Sequence, residues 1–127
     1  MPLSGSKITI FGTDYPTPDG TCVRDYVHAT DLGRAHVLGI EHLKRGGSSG
    51  PLNLGTGEGT SVRQAIEVAE SVIGRPIQIE IGPRRAGDPP ALGSKIGRAI
   101  TWLNWAPVHS DLRTILGTAW KWIQSWR

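Results

Sequence analysis

Gly20-Thr-Cys-Val-Arg-Asp-Tyr-Val-His-Ala-Thr-Asp-Leu-Gly-Arg-Ala-His36 changes character part-way along. Cys22 to Ala29 favours an extended strand, because Val23 and Val27 are β-branched and Tyr26 is aromatic. Thr30 and Asp31 can then cap a helix that Leu32 begins. The order strand, cap, helix makes the chain α/β in class and sets Arg24 and Asp25 just ahead of a helix start. A guanidinium on a strand end suits a diphosphate, since its planar fork bonds two oxygens at once. A surface ion pair from Arg24 to Asp25 or Asp31 accounts for the same residues equally well, such pairs being common and weak.

Upstream, Ile8 to Phe11 is a short apolar strand, and Gly12 to Gly20, with Pro16, Pro18 and Asp19, is a turn-rich loop. Residues 1–7 are small and polar and are expected to be a disordered start, leaving 8–127 as one domain. Downstream, the helix is predicted to run to Lys44, with Leu32, Ala35, Gly39, Ile40 and Leu43 near one face and Gly46 and Gly47 as its stop. Gly46 to Gly50 reads as a flexible surface loop.

A strand at Leu52 to Leu54, the loop Gly55-Thr-Gly-Glu-Gly59, a helix and a strand then outline a dinucleotide-binding βαβ unit. The spacing argues against one, because the third glycine of the fingerprint falls at Thr60. The helix itself is clearly signalled. Ser61 and Gln64 make a capping box, Val62, Ala65, Ile66, Ala69, Val72 and Ile73 keep the 3.6 period, and Gly74 ends it. The alternation Ile77, Ile79, Ile81 predicts a half-buried strand with Glu80 on its polar face. Further helices are expected from Ser94 to Trp102, stopped at Trp105-Ala-Pro107, and from a cap at Ser110, with Leu112, Ile115, Leu116, Ala119, Trp122, Ile123 and Trp126 as core positions.

Composition excludes several classes. The chain has 127 residues, 38% hydrophobic content and a net charge of +3, enough for one modest domain. Its scattered Arg and Lys form no basic stripe, so no nucleic acid is expected as a partner. A single cysteine, Cys22, makes no internal disulfide, and the sequence shows no leader or long apolar run, so a cytoplasmic chain without a membrane is expected. His28, His36 and His42 lack metal-site spacing, so no metal is expected.

Three blocks carry more than their chemistry. Thr9-Ile-Phe-Gly-Thr-Asp-Tyr-Pro-Thr-Pro-Asp-Gly-Thr-Cys-Val-Arg-Asp-Tyr-Val-His-Ala-Thr-Asp-Leu-Gly-Arg-Ala-His36, Leu52-Asn-Leu-Gly-Thr-Gly-Glu-Gly-Thr-Ser-Val62 and Gly82-Pro-Arg-Arg-Ala-Gly-Asp-Pro-Pro90 arrive in one order. Together they resemble the carboxy-terminal half of UDP-glucose 4-epimerase, an extended short-chain dehydrogenase/reductase, from about Ile8 to Arg127. The resemblance implies a substrate-binding portion with short strands and about four helices, lacking the amino-terminal Rossmann half. It implies that Thr9, Ile10 and Phe11 lie along a uracil ring, where a buried edge strand would use the same residues. It also implies that Val62 lines the uridine pocket, that Arg24 and Arg85 meet the diphosphate, and that Asp88 meets the ribose. A local Arg to Asp salt bridge is the competing reading of Arg84, Arg85 and Asp88. By the same resemblance the glycine loop carries no pyrophosphate, and the Leu52 strand returns to the large sheet of the cofactor domain. After Leu92, near where some epimerases place a nucleotide-contacting tyrosine, this sequence is a few residues shorter than the family's pattern.

Two signatures of that family's catalysis are missing here. The amino-terminal glycine-rich loop for NAD is not in this sequence, and neither Tyr15 nor Tyr26 has a lysine four residues on, those positions being Asp19 and Thr30. The expected partner is therefore a UDP-sugar, UDP-glucose or UDP-galactose, with no catalytic and no cofactor-binding residue in this chain. NAD would be bound by a missing catalytic half, and pairing with that half or with further copies is expected. A stand-alone binding or interaction module, and the same part of a sibling nucleotide-sugar epimerase or dehydratase, are the alternatives.

Overall fold

A computed structural model describes residues 7–126. The expected disorder of the start falls on residues that, apart from Lys7, lie outside the described ones. Strand β1 (Ile8–Phe11) pairs in parallel with β4 (Ile79–Gly82), Ile8 opposite Ile79 and Phe11 opposite Gly82. Between them lie β2 (Val23–Arg24), α1 (Ala29–Lys44), β3 (Thr60–Ser61) and α2 (Val62–Ile73); α3 (Gly97–Leu103) and α4 (Leu112–Ser125) follow. β2 is antiparallel to β3, and its other side is bridged in parallel by Ala91. Among the described residues this is an α/β arrangement of short strands and four helices, as the sequence indicates.

α2 forms where local chemistry dictates. Ser61 Oγ accepts from the Gln64 amide, the Gln64 side chain accepts from the Ser61 amide, and Gly74 ends the helix at φ 80°. α1 starts differently from expectation. The strand predicted over Cys22 to Ala29 shrinks to Val23–Arg24, and the helix begins at Ala29, capped by His28, whose Nδ1 accepts from the Thr30 amide. Neither Thr30 nor Asp31 caps it, because Asp31 is spent on a distant loop. Its carboxylate, buried at 1% exposure, accepts from the amides of Val108 and His109 and from Ser110 Oγ, and its carbonyl accepts from buried Trp105 Nε1 at 2.9 Å.

The same contact displaces the last helix cap. Ser110 Oγ is engaged with Asp31 and with the His28 amide, so Asp111 caps α4 by accepting from Thr114. α3 also starts later than Ser94, at Gly97, and ends on Asn104 in the left-handed region.

The core lies between α1 and α3, where Ala35, Ala99, Leu103 and Trp105 are buried and Leu38, Leu52, Leu54, Ile96 and Trp102 pack against them. Leu52 to Leu54 is not a strand. A strand needs a ladder, and none of the described strands pairs with this segment. Three expected buried faces are also open to solvent. Ile40 and Leu43 of α1, Ile79 and Ile81 of β4, and Trp122 and Trp126 beyond the α2 contact of α4 are all exposed, and no α4 residue is fully buried. Amphipathic spacing shows which faces want cover; it does not supply the partner.

Candidate functional site

The cavity of interest opens where β1, β2, the start of α2 and the loop after β4 meet. Its volume is about 300 Å³, and Thr9, Ile10, Phe11, Gly12, Cys22, Arg24, Tyr26, Val62, Arg85 and Asp88 line it. Thus Thr9, Ile10, Phe11, Arg24, Val62, Arg85 and Asp88, picked from stretches far apart in the chain, line one cavity. β1 uses one edge for β4: the Ile8 amide donates to Gln78 and the Gly12 amide to Gly82. Alternate peptide groups of a strand point to opposite edges, so the Thr9 and Phe11 N–H and C=O groups face away from β4, on an edge that no described strand covers.

Arg24 is fixed before any ligand arrives. Its Nη1 donates to the Val23 carbonyl at 2.8 Å and to the Pro89 carbonyl at 3.1 Å. The ion pairs weighed for it with Asp25 and Asp31 do not form. Asp25 accepts from Thr56 Oγ1 and from the Thr56 and Gly57 amides, and Asp31 holds the 108–110 loop. Arg24 Nη2 instead lies 3.9 Å from Asp88 Oδ1. Arg85 Nε donates to Asp88 Oδ2 at 2.9 Å, so the local salt bridge anticipated as the competing reading is present, within the cavity wall. The Arg85 guanidinium also stacks over Phe11, 4.8 Å from the ring centroid. Arg84 faces elsewhere: it pairs with Asp14 at 2.8 Å and covers Tyr15 at 4.3 Å.

Gly12, Cys22 and Tyr26 are wall residues that sequence reasoning passed over. A usable signal existed: Cys22, Arg24 and Tyr26 alternate along an extended segment, and alternate residues share a face. Gly12 is needed because a Cβ there would come within 2.7 Å of the Tyr15 ring and 2.8 Å of the Arg84 stem, at φ +92°. Tyr15 is buried, with a hydroxyl that has no hydrogen-bond partner among the described residues. Burial first, and then the neighbouring Cys22 thiol, push its phenol above the usual range.

The glycine loop does not fit a dinucleotide. Amides that could cradle a pyrophosphate already donate to Asp25, and a Cβ at Gly55 would lie 2.5 Å from that carboxylate. The Asp25 carboxyl is held low: burial works to raise it, but hydrogen bonds from Thr56 and Gly57 outweigh that. Among the described residues no group of His, Cys, Asp and Glu could hold a metal ion, and no helix is long and apolar enough to cross a membrane.

Residues 2–55 of this α/β chain match the NAD dependent epimerase/dehydratase family. A UDP-glucose 4-epimerase of Halalkalibacterium halodurans is 49% identical over 116 residues, which are 91% of this chain and 35% of the relative. Among solved structures, UDP-glucose 4-epimerase from Brucella ovis in complex with NAD superposes with a TM-score of 0.82 at 49% identity, covering 87% of this chain and 34% of that one. The enzyme from Stenotrophomonas maltophila, with bound NAD and formylated UDP-arabinopyranose, gives 0.90 at 40% identity, over 94% and 35%. This chain is homologous to the carboxy-terminal part of UDP-glucose 4-epimerases, and it spans about a third of the length of the relatives it matches.

Proposed function

We infer that this chain is the UDP-sugar-binding part of an NAD-dependent UDP-glucose 4-epimerase, one that interconverts UDP-glucose and UDP-galactose. The observation that carries the reading is the convergence of the seven candidate residues on one cavity, two guanidiniums and a strand edge that no described strand covers among them. The Thr9 and Phe11 peptide groups, unpaired with any described strand, offer a donor and acceptor pattern that suits a pyrimidine edge. Arg24 and Arg85 offer paired cationic donors for a diphosphate, and Asp88 offers an acceptor for ribose hydroxyls. Val62 closes the apolar side. Hydride transfer would need NAD, and this chain offers no loop that fits it. The role left to these residues is to bind the nucleotide and orient the sugar toward a catalytic half.

Titration calorimetry with UDP tests the assignment. Arg24→Ala and Arg85→Ala should each weaken UDP about tenfold or more, a charge-assisted hydrogen bond being worth roughly 1.5–3 kcal/mol. Arg84→Ala, whose partner is Asp14, should change affinity little. Equal losses at Arg84 and Arg85 would show that only general positive charge is at work.

A further inference from the structure

Asp88 does more in this geometry than wait for a ribose. Its two oxygens face different guanidiniums, Oδ1 toward Arg24 at 3.9 Å and Oδ2 toward Arg85 at 2.9 Å, so one carboxylate bridges the two cations that an anionic ligand would use. The bridge is built in. Gly87, at φ +85°, turns the chain so that the Asp88 amide donates back to the Arg85 carbonyl, and the Pro89 carbonyl next to Asp88 anchors Arg24. It is also breakable, because the Arg85 side chain is 60% exposed and the other two are 23% exposed, where ion pairs are weak.

We propose that Asp88 is a displaceable internal counter-ion that couples recognition of the ribose to recognition of the diphosphate. With the cavity empty, the carboxylate holds both guanidiniums facing one point and cancels one of their two charges, so inorganic anions are poorly held. A ligand whose hydroxyls donate to Asp88 draws its charge away from the arginines and leaves both free for phosphate oxygens. A nucleoside diphosphate meets both conditions at once; pyrophosphate alone and uridine alone each meet one. The device therefore sets specificity for the joined molecule without any additional contact. It rests on the nucleotide reading of the cavity given above.

The test is titration calorimetry of the whole chain with pyrophosphate, uridine and UDP, on the parent and on Asp88→Asn, which preserves shape and removes charge. Asp88→Asn should bind pyrophosphate about tenfold more tightly than the parent, the order expected for removing a unit charge within a few ångström of an anion at a partly exposed site. That gain should shrink as salt is raised and vanish in the Asp88→Asn, Arg85→Ala double variant. Saturating uridine should tighten pyrophosphate binding by the parent and not by Asp88→Asn. UDP that binds the parent while Asp88→Asn leaves pyrophosphate affinity unchanged or weaker overturns the counter-ion role alone. UDP that fails to bind the folded parent overturns the nucleotide reading beneath it.

Discussion

Removing the Asp31 carboxylate should strongly destabilise this chain. Asp31 ties the first turn of α1 to the segment between α3 and α4, accepting from the His109 amide at 2.8 Å, from Ser110 Oγ at 2.6 Å and from the Val108 amide at 3.1 Å on each oxygen. Asp31→Ala leaves these donors facing a cavity where the acceptor is gone. Hydrogen bonds to a charged group contribute roughly 1.5–3 kcal/mol each, and breaking a buried polar network costs about 3–5 kcal/mol, so a loss of about 4 kcal/mol is expected. Against the 5–15 kcal/mol typical of a domain, that is a large share. Urea denaturation followed by far-UV circular dichroism measures it, and a loss below about 1 kcal/mol would refute the reasoning.

The pH dependence checks the same anchor independently. Burial acts to raise the Asp31 carboxyl, but hydrogen bonds from Ser110, Val108 and His109 prevail and hold it below the usual range. A carboxyl lowered by folding adds stability above its ordinary value, near pH 4, and that stability is lost as pH falls through its folded value. The parent should therefore weaken below about pH 4. Asp31→Asn should be weaker at neutral pH with a shallower acid limb, although Asp19 and Asp25, also held low, keep part of the slope.

Three further outcomes are expected. Gly20→Ala should destabilise by about 2 kcal/mol or more, measured by thermal melting, because its Cβ would strike the Thr13 carbonyl oxygen at 2.0 Å from a backbone at φ +81°. Purified chain supplied with UDP-galactose and NAD should show no turnover in a coupled assay, and any rate above a protein-free control would count against the loop and tyrosine argument. The chain should self-associate on sedimentation, since Ile40, Leu43, Trp122 and Trp126 are exposed; a clean monomer at high concentration would contradict this.

How much of this was readable in advance differs element by element. α2 was, because its capping box, apolar stripe and terminal glycine are interactions among residues at most a few positions apart. β1 and its turn-rich loop were as well, and three distant motifs taken as one pattern held seven of the residues that line the cavity. Of the cavity's other members, Cys22 and Tyr26 were visible as alternate positions beside Arg24, but alternation alone does not say which face is hollow.

Tertiary contacts settled what local chemistry left degenerate. Thr30 and Asp31 are good caps on paper, yet Asp31 found buried amides in the 108–110 loop, and His28 became the cap instead. Arg24 had two nearby carboxylates to choose from; Asp25 went to the glycine loop and Asp31 to the 108–110 loop, and Arg24 lies instead against Asp88. Leu52 to Leu54 has a strand's composition, but no described strand pairs with it. In each case several local partners lie within a few kcal/mol of one another, and burial of a polar group, which demands complete hydrogen bonding, decides among them only when the chain is folded.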